Sequence, residues 1–275
     1  MDHFPLSWGR PRNENSQDMF NAAPMYKPQD WEAKAFGLDG GSHGQMDEIS
    51  HTQQPIVTGT SVLALKYKDG IMLAADTLAS YGSLARFKDI ERLKPIGDYT
   101  VIGAGGDMSD FQFLEKTLEG LVIEEANTSD GHNLGPKEVY SYLSKYMYAR
   151  RTKMNPLWNS LLVGGVKNGE RFLGYVDLIG TTYTASTLAT GYGSYIAQPL
   201  LRKAVEGNED TLTREQAEQV MIECMKVLYY RDARSLNKFQ IATVTSAGVE
   251  ISETMSAKTE WAFAEKLRGY GAQTQ

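Results

Sequence analysis

A single cysteine, Cys224, serves all 275 residues. A disulfide framework within the chain and a cysteine–zinc cluster are therefore both excluded, and such sparing use suits a reducing compartment. Cys224 falls in an apolar helical run with Val220, Met221, Val227 and Leu228, which reads as a small buried hydrophobe rather than a reactive thiol. Histidine is almost as scarce. His3, His43, His51 and His132 all lie in polar, Gly-rich or Asp-rich stretches, so neither a histidine metal site nor a histidine-based triad is indicated. No apolar run approaches membrane-spanning or signal-peptide length. There is no dense Lys/Arg patch, and the net charge is −6, which argues against nucleic acid or an anionic membrane as partner. The expectations are no cofactor, no metal, and a protein kept in the cytoplasm or carried into the nucleus with a partner.

What is present is ordinary globular material, 41% hydrophobic and 23% charged, at a length that suits one large domain or two small ones. Composition changes near residue 51. Met1–His51 is rich in Pro, Gly, Asn, Gln and Asp without periodic apolar residues, and clusters such as Gly40-Gly41-Ser42-His43-Gly44 nucleate neither helix nor strand. It reads as an unpacked leader, either a tail without a role or a removable propeptide.

Strands are expected over Thr60–Tyr67 and Ile71–Ala75, joined by the turn Lys68-Asp69-Gly70, with Asp76 closing the second. Ile71–Ala75 is continuously apolar and should be buried on both faces. Another strand, Tyr99–Gly103, runs into Ala104-Gly105-Gly106, which has part of a dinucleotide loop but lacks the full glycine pattern and the βαβ setting. A helix starting at Ser109 or Asp110 carries Phe111, Leu114, Leu118, Leu121 and Val122 on one face; a second opens at Pro136 and is broken by Asn155-Pro156. Strands resume over Leu157–Val166, turn at Lys167-Asn168-Gly169, and continue over Arg171–Leu178 and about Thr181–Thr184. One helix follows Gly191-Tyr192-Gly193; the next starts at the capping box Thr213-Arg214-Glu215-Gln216 and ends near Arg231. Phe239–Thr245 and Val249–Ile251 form a last hairpin, and Trp261, Phe263, Ala264 and Leu267 mark a C-terminal helix. Blocks of strands separated by pairs of helices fit an α+β layered domain, not a doubly wound parallel sheet.

Several short runs carry a resemblance. Gly59-Thr60 enters the first strand, Ala75-Asp76 ends the second, Gly105-Gly106 precedes the first helix, and Tyr230-Arg231-Asp232-Ala233 precedes the last strands. In this order they resemble the β subunits of the 20S proteasome core, over Thr52 to about Gly271. Thr52–Thr60, Ser80–Arg86, Lys153–Asn159 and Tyr229–Ser235 are most similar to the seventh, non-catalytic β-type subunit, and the ending Gly269–Gln273 to its fungal-like form. The resemblance implies the N-terminal-nucleophile hydrolase fold, a four-layer αββα sandwich with two antiparallel sheets between helical layers. It implies assembly with other proteasome α and β subunits into stacked rings, possible dealings with assembly chaperones, and a role in ubiquitin-dependent protein degradation. It divides the chain into a leader (1–51), a β-type domain (52–268) and a C-terminal tail (269–275).

A threonine protease of this family needs the threonine at the mature N-terminus, because its free α-amine, with an ordinary pKa near 8, serves as the base. By the resemblance, Thr60 falls at the nucleophile position, Asp76 at the first aspartate, Gly106 at the oxyanion glycine, and Asp232 and Ser235 at the supporting acid and hydroxyl. Two positions depart from the pattern. Arg92 stands where the family has a lysine, and a guanidinium cannot exchange a proton at any relevant pH. Tyr192 stands where a small serine would bond the α-amine. The expectation is a structural subunit with vestigial positions at Thr60, Asp76, Arg92, Gly106, Tyr192, Asp232 and Ser235, its leader removed in trans between His51 and Thr52. The rivals are an active threonine endopeptidase using Thr60, and a lone amidase of the same fold.

Overall fold

The computed structural model describes residues 54–128 and 131–262, all within the unit His51–Gln275. The expected cleavage point after His51, the C-terminal helix beyond Trp261 and the tail all lie outside the described residues.

Two antiparallel sheets form the centre. The larger holds β1 (Val57–Gly59), β4 (Ala79–Tyr81), β5 (Leu84–Phe87), β6 (Leu93–Ile96), β7 (Thr100–Asp107), β8 (Asn159–Lys167), β9 (Glu170–Val176) and β10 (Thr182–Thr184). Its order is β10-β9-β8-β7-β1-β4-β5, with β6 also on β7. The smaller sheet runs β11-β2-β3-β12-β13, from β11 (Thr187–Ala189), β2 (Val62–Tyr67), β3 (Gly70–Asp76), β12 (Phe239–Thr245) and β13 (Gly248–Ile251). Helices α1 (Met108–Thr128) and α2 (Pro136–Thr152) lie on the larger sheet; α3 (Gly193–Ile196), α4 (Gln198–Val205) and α5 (Arg214–Arg231) lie on the smaller.

Side-chain alternation explains the four layers. In β2, Val62 and Ala64 face the other sheet while Leu63, Leu65 and Tyr67 face the helices. In β3 the same split puts Ile71, Leu73 and Ala75 between the sheets and Met72 and Ala74 under α5. Across the gap, Val101, Leu162 and Val166 meet them, while Ile102, Ala104, Leu161 and Val163 turn toward α1 and α2. A strand covered on both faces has no polar side to show, and every residue of β3 is buried, as its unbroken apolar run indicates. The αββα sandwich is as expected.

Local signals account for the ends. Thr213 and Gln216 form the reciprocal capping box of α5. Pro136 opens α2. Asn168 and Gly169 both have positive φ, at 53° and 77°, the pattern of the two-residue turn between β8 and β9. The turn before β3 forms too, but for a different reason than Asp-Gly flexibility: Gly70 is not in the left-handed region, and a Cβ there would stand 2.0 Å from the Val244 carbonyl oxygen. The first helix starts at Met108, earlier than expected, because the Asp107 carboxylate accepts the N–H groups of Ser109 (3.0 Å) and Asp110 (3.2 Å). Burial raises the Asp107 pKa, but bonds from the Ser109 hydroxyl and the Ile56, Asp110 and Ser109 N–H groups outweigh it and leave the pKa lowered. The helix expected after Gly193 is divided in two at Ala197. Cys224 is buried, and desolvation, with the Glu223 charge adding, pushes its thiol up to about 12.

Candidate functional site

Thr60 and Ser61 are the link by which the chain leaves β1 in the larger sheet and enters β2 in the smaller. Thr60 is not the start of a strand: a short strand, β1, precedes it and β2 begins only at Val62. Thr58 lies opposite Ser80 of β4 on one side and Asp107 of β7 on the other, and the Ile56 N–H donates to Asp107 Oδ1 at 2.8 Å. The nitrogen of Thr60 is thus a peptide nitrogen inside a continuous, paired segment. While the Gly59–Thr60 bond is intact, that nitrogen is an amide and cannot serve as a base for the Thr60 hydroxyl.

That hydroxyl donates instead to Asp232 Oδ2 at 2.6 Å. Asp232 ends α5 and is 4% exposed, with its other oxygen held by the Arg234 N–H at 2.8 Å. Ser235 stands one step behind. Its hydroxyl engages the carbonyls of Leu228 (3.1 Å) and Asp232 (2.7 Å), closing the turn after α5. Asp76, at the end of β3, has both oxygens engaged, Oδ1 by Arg92 at 2.6 Å and Oδ2 by the Leu236 N–H at 3.0 Å. Burial pushes the Asp76 carboxyl up to about 6, against the downward pull of the Arg92 guanidinium and the Leu236 N–H.

Arg92 is 1% exposed, and all five of its guanidinium donors are used. Nε reaches the Asp76 carbonyl (2.9 Å); Nη1 reaches the carbonyls of Thr60 (2.7 Å) and Ala104 (3.1 Å); Nη2 reaches the Ser61 carbonyl (2.7 Å) and Asp76 Oδ1 (2.6 Å). It has no spare proton to lend and, as a guanidinium, none to accept.

Gly106 is at φ +90°, and a Cβ there would meet the Trp158 carbonyl oxygen at 2.0 Å. Its place in the ladder bears on oxyanion binding. Gly106 lies opposite Gly59 of β1 on one edge of β7 and opposite Asn159 of β8 on the other. Whichever edge its N–H faces, a strand already lies there. The other glycines of this stretch serve close approach, not phosphate binding: a Cβ on Gly105 would lie 2.9 Å from the Thr60 carbonyl oxygen.

Tyr192 does not join the cluster. The residue is 60% exposed. Gly193, next in the chain, is closely fixed. Its N–H donates to Ser61 Oγ at 2.8 Å and its Cα lies so close to Leu63 and Ser61 that a Cβ would stand 3.0–3.1 Å from them. The residues brought together are Thr60, Asp76, Arg92 and Asp232, with Gly106 beside them through β1 and Ser235 behind. Ser61, Asp107 and Asn159 were not singled out from the sequence, although each anchors the link or the strand it crosses. Asn159 donates to the carbonyls of Gly105 (3.1 Å) and Asp107 (2.8 Å). Only the β-branched pair Val57-Thr58 after Ile56 signalled β1. Among the described residues no group of three His, Cys, Asp or Glu side chains is placed to hold a metal ion.

Residues 56–244 match the family model described as "Proteasome subunit". The chain belongs to the proteasome subunit family. It is 55% identical over 229 residues to "Probable proteasome subunit beta type-7" of Schizosaccharomyces pombe, covering 82% of this chain and 87% of that one. It is 44% identical over 282 residues to "Proteasome subunit beta type-7" of Saccharomyces cerevisiae, covering 99% of both, and 52% identical over 222 residues to "Proteasome subunit beta type-4" of Xenopus laevis, covering 81% of this chain and 91% of the other. The resemblance to β-type proteasome subunits is borne out, and with it the N-terminal-nucleophile hydrolase fold.

Proposed function

We propose that this chain is a non-catalytic β-type subunit of the 20S proteasome core, building the β ring and its contacts with other α and β subunits while leaving peptide-bond hydrolysis to them. The observation that carries the reading is β1. It continues the chain through Thr60, fills the ladder beside Gly106 and withholds the amine that a threonine protease uses as base. Arg92, with every donor engaged, cannot take up a proton in its place as a lysine could. Thr60, Asp76, Asp232 and Ser235 then serve as packing and hydrogen-bonding residues at strand and helix ends. We place the mature start at Thr52, eight residues ahead of Thr60, with the leader cut in trans after His51, and the tail 269–275 reaching to a neighbouring subunit. No helix among the described residues is long and apolar enough to cross a membrane. Separately, from the proteasome role, we assign the subunit to cytoplasm and nucleus.

Intact-mass measurement of this subunit from assembled particles tests the reading. A mass for residues 52–275 is expected. One for 60–275 overturns the non-catalytic reading, and one for 1–275 overturns the cleavage at His51 while leaving Thr60 blocked.

A further inference from the structure

One edge of β7 is shared. The β6 ladder runs along it to the pair Leu93–Gly103, and the β1 ladder resumes at Gly106. Arg92 fills the interval. Its carbonyl accepts the Ala104 N–H at 3.1 Å, and its Nη1 donates to the Ala104 carbonyl at 3.1 Å. The remaining donors go to the carbonyls of Thr60 and Ser61 in the link between the sheets, and to the carbonyl and carboxylate of Asp76 in the smaller sheet. One side chain therefore bonds main chain from both sheets and from the segment that crosses between them.

We infer that Arg92 is a clamp that holds the chain on either side of the Gly59–Thr60 bond in place, a structural part in its own right and not merely a disabled catalytic lysine. This rests on the reading in which that bond stays uncut. Three features carry it. The acceptors are four carbonyls and one carboxylate oxygen spread around a planar fork, which the three donors on a lysine's single nitrogen cannot reach together. The Arg92 side chain is fully buried, so a buried carbonyl released from it loses a partner that solvent does not readily replace. The fit is interlocking as well as polar: a Cβ on Gly59 would lie 2.6 Å from Arg92 Cδ and 2.7 Å from Nη1, so the strand before the bond passes across the arginine stem with no room for a side chain. Since the guanidinium is pinned at five points, the stem cannot swing aside.

The competing role is simpler: Arg92 present only to neutralise the buried Asp76. The two separate by amide hydrogen exchange on the full-length chain, read at Val57–Ser61 with the β8–β9 ladder as internal reference. Three variants are compared. Arg92→Lys keeps the charge and loses the fork. Arg92→Met with Asp76→Asn removes both charges, and the asparagine carbonyl still accepts the Leu236 N–H. Gly59→Ala pushes a methyl onto the stem and touches neither charge, and it answers the question even where an Arg92 variant fails to fold. The clamp requires exchange at Val57–Ser61 at least about tenfold faster in each, with the reference unchanged. Wild-type exchange at Val57–Ser61 in Arg92→Lys, in the charge-free pair or in Gly59→Ala overturns it. The outcome is separate from the particle mass: a subunit beginning at Thr60 would refute the non-catalytic reading, whereas unchanged exchange in an uncut chain refutes the clamp alone.

Discussion

A version of the chain that begins at Thr60 gives the family's nucleophile the free amine it would need, and the fold makes a definite forecast for it. Removing the residues before Thr60 deletes β1, which pairs at two residues with β4 and at two with β7, and deletes the bond from the Ile56 N–H to Asp107. It also removes Val57, half-buried against the core under α1 and α2. At about 1 kcal/mol net for each of a few hydrogen bonds and about 1 kcal/mol for the apolar contact, the loss is about 4 kcal/mol. For a domain of this size that lowers the melting temperature by about 8–16 °C. The hairpin β4–β5, which reaches the rest of its sheet only through β1, should come loose first. The comparison is thermal melting of chains starting at Thr52 and at Thr60, the latter released from a cleavable fusion, with hydrolysis of short peptides followed in parallel. We expect the shorter chain to melt lower and to remain inactive, because Arg92 cannot exchange protons. Equal melting temperatures would show that β1 contributes nothing to the fold, and hydrolysis by the shorter chain would show that the blocked amine alone silences the site.

Three other outcomes are expected. Thr60→Ala leaves Asp232 Oδ2 without its partner, costs about 1–2 kcal/mol, and leaves the peptidase rates of assembled particles unchanged; melting curves and peptide assays read the two parts. Burial pushes the Asp76 carboxyl up to about 6 from an ordinary 3.8, so the folded state holds the proton more tightly. The stability this confers is full below about pH 4 and is lost as pH rises through 6, and Asp76→Asn should remove that portion of the pH dependence of the melting temperature between pH 4 and 7.5. Cys224 should resist iodoacetamide at pH 8 in the folded chain and react only in denaturant, since burial keeps its thiol protonated; labelling of native protein would contradict the packing of α5.

The sequence announces elements whose ends are chemical. Pro136 and the Thr213–Gln216 box set two helix starts, Asn168-Gly169 sets a hairpin, and the apolar run of β3 declares a strand buried on both sides. It is nearly silent about β1, β4, β5, β6 and β11, each of three or four residues, because a strand that short has no readable alternation and exists only through pairing with distant partners. The same holds at the site. Thr60, Asp76 and Asp232 could be picked out by family resemblance, and Arg92 could be seen to lack a lysine's proton chemistry. Its five acceptors could not be foreseen, since four are main-chain carbonyls that any residue would offer. The seating of Gly193 against Ser61, beside Tyr192, could not be foreseen either, being a contact between residues 132 positions apart.

The seven-residue pairing of β3 with β12, from Gly70–Thr245 to Asp76–Phe239, sets a schedule for biosynthesis. β3 leaves the ribosome early with β2 on one edge, while the partner for its other edge is among the last strands made. Until then a strand destined to be buried on both faces stands with a bare row of N–H and C=O groups, a template for any passing chain. Since non-local pairing of this kind is slow to form, the nascent subunit spends most of its synthesis unable to close its inner sheet. α5, whose seat is that sheet, cannot settle before the chain is nearly complete.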